Sequence, residues 1–142
     1  MGEVLRGEYQ KKGLSDMREI KFRGFNRKNG VWLYGFYLQN RGAHFVCPDE
    51  FADGKSWDDY EIDPETRGEY TGQKDRSEQE IYEGDVLIWD EDDESGVVVY
   101  DAQNALFGMQ YQDGRIYGLY DCKQKELEVI GNIYDNPELL KE

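Results

Sequence analysis

The stretch Ile81-Tyr82-Glu83-Gly84-Asp85-Val86-Leu87-Ile88-Trp89 decides the fold. Its second half, Val86–Trp89, consists of branched and aromatic residues. Such side chains fit a pleated, half-buried surface, so this half predicts a core strand. The first half predicts a fixed turn. Gly84 suits a backbone position that a side chain would exclude. The short carboxylate of Asp85 can accept hydrogen bonds from nearby amides and lock the turn. Ile81 and Tyr82 would anchor it by burial.

Toward the C-terminus, the acidic run Asp90–Glu94 leads to Ser95-Gly96, read as a turn into Val97-Val98-Val99-Tyr100. Asp113-Gly114 signals a hairpin between Phe107–Gln112 and Arg115–Tyr120. Leu127–Ile133 reads as a further strand. Asn136-Pro137-Glu138-Leu139-Leu140 reads as a short helix: Asn caps, Pro suits the first helical position and Glu favours the dipole. About five short strands with tight turns fit a small SH3-like barrel over residues 70–142, with an open meander as the alternative.

Toward the N-terminus, Tyr70-Thr71-Gly72 reads as a strand end entering a turn, and Lys74–Glu80 as a polar loop. Residues 48–69 read as a long irregular connection broken by Pro48, Gly54, Pro64 and Gly68. Trp57, Tyr60 and Ile62 are the residues expected to pin it to the core. Ala43–Cys47 is a strand. Val31–Leu38 is apolar on both faces and is expected to lie under another element on each side. Asn29-Gly30 predicts a two-residue hairpin turn. In Met17–Arg23 apolar and basic residues alternate, so Ile20 and Phe22 are expected to face inward and Lys21 and Arg23 outward. Residues 1–16 read as an N-terminal extension: a tag, a true extension ahead of an alternative start at Met17, or a short helix around Glu3–Lys12. Residues 17–142 read as one mainly β (β-rich α+β) domain, divided into an N-terminal hairpin layer with its long loop (17–69) and a barrel-like half (70–142).

Composition bounds the function. Hydrophobic residues make up only 38% of the 142-residue chain, but 11 Tyr, 6 Phe and 3 Trp compensate, because each buried ring removes much apolar area from water. The formal net charge is −14. In residues 1–16, Arg6, Lys11 and Lys12 cancel Glu3, Glu8 and Asp16, so the excess lies in residues 17–142. Such a field repels phosphate backbones and anionic lipid heads, which opposes direct nucleic-acid and membrane partners and favours a basic protein partner. Cys47 and Cys122 have no C-x-x-C spacing and fit buried thiols in a reducing cytoplasm.

No catalytic constellation is legible. His44 is the only histidine, and Cys47, three residues on, would face the other way in a strand. Asp90, Asp92 and Glu94 have calcium-loop spacing, but Ser95 stands where glycine is required and Asp101 where a bidentate glutamate is required. No phosphate-binding glycine loop and no nucleophile elbow occur. No cofactor and no metal is expected.

Several pieces of the chain, in order, resemble the YopX family of phage and prophage proteins. They are Met17–Arg23, Tyr70-Thr71-Gly72-Gln73-Lys74-Asp75, Ile81–Val86, Gly96–Tyr100 and Glu128–Leu140. Within them Tyr70, Gly72, Tyr82, Gly84, Asp85, Gly131, Asn132 and Pro137 stand out as structural motif residues. Gln73, Gly24-Phe25 and a loop Arg76–Glu80 without glycine depart from the family pattern. The resemblance implies a phage- or prophage-encoded protein in the bacterial cytoplasm and supplies no catalytic residue. It also implies self-assembly. The resulting expectation is a non-enzymatic accessory protein acting through protein–protein contact as a homo-oligomer. The alternatives are an acidic DNA mimic that occupies a host nucleic-acid-binding protein, and a nucleic-acid-binding barrel using Lys21, Arg23, Arg27 and Lys28.

Overall fold

The computed structural model describes residues 13, 17–89, 94–122 and 126–140. It contains two five-stranded antiparallel sheets. The strands are β1 (Phe22–Asn26), β2 (Val31–Asn40), β3 (Ala43–Cys47), β4 (Gly68–Lys74), β5 (Glu80–Tyr82), β6 (Asp85–Trp89), β7 (Ser95–Asp101), β8 (Leu106–Gln110), β9 (Ile116–Gly118) and β10 (Leu127–Asn132). The first sheet runs β3-β2-β1-β4-β5 and the second β10-β6-β7-β8-β9. The mainly β reading holds. The barrel does not: β10 and β9 are the ends of an open second sheet. The sheets divide at Glu83-Gly84, later than the 69/70 division read from the sequence, because β4 and β5 extend the first sheet. The expected C-terminal helix is a single 3-10 turn, Pro137–Leu140.

The hairpins are longer-looped than their dipeptides predict. β1 and β2 pair from Asn26↔Val31, leaving Arg27–Gly30 as the loop. Gly30 N–H donates to Asn26 O at 2.8 Å, and Asn26 Oδ1 accepts from Asn29 N–H at 2.8 Å. The Asn26 side chain thus closes a wider turn. At the second hairpin, Tyr111 N–H donates to Arg115 O and Gly114 N–H to Tyr111 O, each at 2.9 Å. Ser95-Gly96 is strand, paired with Ile88 and Leu87, rather than a turn.

The aliphatic core lies mostly on the second sheet, and Ile81 of β5 reaches into it from the first. Ile81, Leu87, Val98, Met109, Tyr111, Leu119, Cys122 and Leu127 form it, with Trp89, Phe107 and Val129 packed against it. The first sheet relies on rings instead. Phe22 meets Tyr37, Phe25 meets Trp32, and Tyr82 meets both Tyr34 and Tyr70, with centroids 5.4–5.6 Å apart. β2 is not sandwiched on both faces, since Val31, Tyr34 and Phe36 are exposed. Cys47 and Cys122 are buried and not joined in a disulfide, and burial pushes the Cys47 thiol pKa up. Among the described residues no helix is long and apolar enough to cross a membrane.

The N-terminal connection is tied to the first sheet as expected of Tyr60 and Ile62, both buried. Val46 N–H donates to Tyr60 O, and Ile62 N–H to His44 O. These bonds cover the outer edge of β3, which would otherwise invite another strand. Trp57 ties the connection to the first sheet only through the half-buried Phe45 of β3, and 54% of its surface stays exposed.

Candidate functional site

Two regions concentrate rings and charge. The first lies between the sheets, where the Glu83-Gly84 turn and the strand ends beside it meet β1; the expected turn Ile81–Asp85 is shorter, because Ile81-Tyr82 belong to β5 and Asp85 to β6. Register places Arg23 opposite Tyr34 and Phe25 opposite Trp32, so all four share one face of the first sheet. That face looks toward the second sheet. The outward reading of Arg23 was therefore wrong: it is 5% exposed, whereas Ile20 is 63% exposed. A charge can sit there because it is compensated. Arg23 Nη2 lies 2.8 Å from Asp85 Oδ1 and donates to Glu83 O at 3.2 Å. The guanidinium also lies 5.0 Å from the Trp32 centroid and 5.1 Å from that of Tyr82, within cation–π range. Arg23 Nε has no hydrogen-bond partner among the described residues.

Asp85 plays the turn-locking role predicted for it. It is 2% exposed, and its Oδ2 accepts from Tyr82 N–H at 2.8 Å. Burial pushes its carboxyl pKa up, against the pull of Arg23 and the Tyr82 amide. Gly84 takes φ +90°, and a Cβ there would lie 3.2 Å from the Tyr134 ring. Its N–H donates to Val98 O and its O accepts from Ile133 N–H, so this residue stitches the turn to both β7 and the segment after β10.

The remaining motif residues gather nearby, with one exception. Tyr70 and Tyr82 are buried and in ring contact. Burial, with the neighbouring Glu80 carboxylate, raises the Tyr82 phenol pKa far above its usual range. Gly131 lies under Asn136, where a Cβ would come 2.5 Å from Asn136 Oδ1. Asn132 Oδ1 accepts from Tyr134 N–H and Asp135 N–H, each at 2.9 Å, and Pro137 opens the terminal turn that follows. This bend presents Asp135, whose Oδ2 accepts from Trp32 Nε1–H at 2.9 Å. Gly72 sits apart, beside Arg18, at φ +88°. A cavity of about 340 Å³ opens between the sheets, lined by Arg23, Trp32, Tyr34, Gln79, Asp85 and Asn132 among others.

Sequence reasoning missed Arg23 and Asp75. Asp75 is 1% exposed. Its Oδ1 accepts from Ser77 and Gln79 N–H, and its Oδ2 from Val129 N–H at 3.0 Å, docking the β4–β5 loop on β10. Its place at the end of the quoted Tyr70–Asp75 segment was the available signal.

The second region is the connection around Phe51 and Trp57. Their rings lie 5.6 Å apart, Trp57 also meets Phe45 at 5.4 Å, and Phe51 meets Tyr60 at 4.9 Å. Phe51 is nevertheless 53% exposed and Trp57 54%. The adjoining 3-10 turn Trp57–Asp59 is held from the β1–β2 loop: Lys28 Nζ lies 3.1 Å from Asp58 Oδ1 and 2.9 Å from Asp59 Oδ1. The backbone amide of Ser56, with the Asn29 and Lys28 side chains, lowers the Asp59 pKa well below its usual range.

The basic cluster is spoken for. Lys21 pairs with Glu19 and Glu80, Arg27 with Asp63 and Lys28 with Asp58 and Asp59, while Arg23 is buried. His44 Nδ1 hydrogen-bonds Tyr37 Oη, and its ring is tilted against that of Tyr37. Of the acidic run, Asp90 and Asp92 lie outside the described residues, as do most of residues 1–16. Among the described residues no group of three or more His, Cys, Asp or Glu side chains is placed to hold a metal.

No curated protein matches the chain in sequence. Among solved structures, the crystal structure of protein EF1440 from Enterococcus faecalis is similar, with TM-score 0.58 and 24% identity over 88% of this chain and 100% of that one. That likeness extends the two-sheet fold to a second protein. The family description "YopX protein" matches residues 21–141, which takes in the strands from β1 to β10 and both regions above. This chain belongs to the YopX family.

Proposed function

We propose that this chain is a phage- or prophage-encoded, non-enzymatic accessory protein of the bacterial cytoplasm that acts through protein–protein contact, self-assembly included. The observation that carries the reading is the Phe51–Trp57 pair, two large rings in mutual contact that stay more than half exposed. Large rings held at a surface are what interface anchors consist of. The inter-sheet region supports the reading by contrast, since its charges and rings are used to hold the sheets together. Sedimentation of the full chain over a range of concentrations tests it, together with affinity capture from a natural host. A strict monomer that recovers no partner overturns it.

The net charge of −14 favours a second reading, an acidic decoy for a host nucleic-acid-binding protein. Capture that does not weaken with salt would remove that reading. A nucleic-acid-binding role for the basic cluster is weakened by the carboxylate partners of Lys21, Arg27 and Lys28 and by the burial of Arg23. A low-salt gel shift with single-stranded DNA tests it directly.

A further inference from the structure

Four cations lie on aromatic rings among the described residues, and at three of them a carboxylate closes the set; the fourth, Arg67, lies 5.0 Å from the Tyr37 centroid without an ion pair. Lys21 lies 5.1 Å from the Tyr70 centroid and 2.5 Å from Glu80. Arg23 lies between Trp32 and Tyr82 and pairs with Asp85. Arg115 lies 5.3 Å from the Tyr111 centroid and 5.8 Å from that of Tyr117, and it pairs with Asp113 at 2.5 Å. Each of these three sets is internally complete.

The Phe51–Trp57 loop has the rings and the carboxylates, and among the described residues no cation lies on its rings. Glu50 adjoins Phe51, and Asp49 and Asp53 flank it; all three are exposed and have no ionic partner among the described residues. Lys28 is engaged with Asp58 and Asp59. Lys55, the cation within the loop, is exposed and makes no ion pair and no ring contact among the described residues. Tyr100 is also exposed, but its ring partner Phe107 is half-buried, and this pair is less open chemically. Phe107 packs on the core, and the Asp101 carboxylate already accepts from Gln103 N–H and Asn104 Nδ2.

We infer that the Phe51–Trp57 loop docks a segment of a partner protein carrying arginine or lysine side chains. One cation lies on the Trp57 face and its neighbours pair with Asp49, Glu50 and Asp53. Indole is the strongest of the aromatic faces for a cation. The acidic field of the whole chain steers a basic segment toward this surface and adds to its encounter rate. The inference rests on the contact-protein reading and names the chemistry of the partner.

The test uses the full chain and a fluorescein-labelled heptapeptide alternating glycine and arginine, with a counterpart alternating glycine and glutamine. Fluorescence anisotropy at low salt reads the affinity. The arginine peptide is expected to bind and the glutamine peptide is not. Trp57→Ala is expected to weaken binding roughly fivefold to tenfold, and Trp57→Phe less. Glu50→Gln combined with Asp53→Asn is expected to weaken binding and flatten its salt dependence, whereas Glu138→Gln, a charge loss elsewhere, changes it less than about twofold. Unchanged melting temperatures confirm that these exposed substitutions leave the fold intact. Equal affinity of Trp57→Ala and wild type overturns the inference, because the attraction is then only that of a general acidic surface. Absent binding in a chain that self-associates overturns the basic partner and leaves the contact reading standing. Absent binding in a strict monomer that captures nothing from its host brings down both.

Discussion

The inter-sheet clasp and the Phe51–Trp57 loop use the same ingredients to different ends. At the clasp, rings, guanidinium and carboxylate all come from this chain, and the buried Arg23 and Asp85 charges pair with each other. At the loop, rings and carboxylates stand in solvent, and among the described residues no cation lies on the Phe51 and Trp57 rings. A complete set spends its interaction energy on holding two sheets together. An incomplete set has that energy left for a partner. The contrast teaches that a ring-rich, acidic composition does not by itself indicate function; in the reading proposed above, whether the cation is supplied internally separates scaffold from contact surface.

The sharpest way to break this comparison is to remove the clasp's carboxylate. Asp85→Ala leaves Arg23 buried without a counter-charge and the Tyr82 amide without its acceptor. A loss of about 3–5 kcal/mol is expected in urea or guanidinium unfolding, as for other broken buried pairs. A loss below about 1 kcal/mol would mean that water reaches the guanidinium and that the clasp is not a closed set. Gly84→Ala comes next. Its positive φ and the 3.2 Å approach to Tyr134 predict a cost of about 1–3 kcal/mol by the same measurement.

A pH series sharpens the comparison from the rim of the clasp. Burial works against the Glu80 carboxylate, but hydrogen bonds from Lys21 and Tyr82 outweigh it and hold its pKa below the ordinary value of 4.5. Burial likewise opposes the Lys21 charge, and hydrogen bonds with Glu80 and Glu19 hold its pKa above 10.5. A lowered acid contributes stability that is present above its unfolded pKa and lost as pH falls through the folded one. A raised base contributes stability that is present below its unfolded pKa and lost as pH rises through the folded one. The pair should therefore stabilise the fold between those limits, and Glu80→Gln should flatten the acid limb of stability against pH. An unchanged acid limb in that variant would count against the pair. The smallest effect belongs to the loop: Trp57→Ala should shift stability by less than about 1 kcal/mol, because the ring is mostly in water. A large loss there would turn the loop into a second structural set.

Much of this contrast was legible from sequence in its parts and not in its arrangement. The strands, the locking role of Asp85 and the burial of Tyr82 follow from local rules: branched residues favour extended backbone, and a short carboxylate caps nearby amides. The alternation in Met17–Arg23 misled for a physical reason. Period-two patterning gives two faces, but which face is buried depends on what packs against the strand. Here the second sheet covers the Arg23 face, and Asp85, distant in sequence, makes that burial tolerable. The loops of both hairpins also escaped the dipeptide rule, because Asn26 Oδ1 and the Tyr111–Arg115 bond close wider turns than Asn29-Gly30 and Asp113-Gly114 alone demand.

By itself, the sequence determined a mainly β, ring-rich, strongly acidic chain with a fixed turn within Ile81–Asp85, which the structure narrows to Glu83-Gly84 between β5 and β6. Backbone preference and net charge are local or summed properties, so they are readable without a fold. Only the tertiary structure decided that the second sheet stays open, that the turn is the seam between two sheets, and which cations meet which rings. Those outcomes depend on contacts between residues far apart in the chain. Ile81–Trp89 shows both kinds of determination at once: its strand and turn were written locally, and its partner across the seam, Arg23, was chosen by packing.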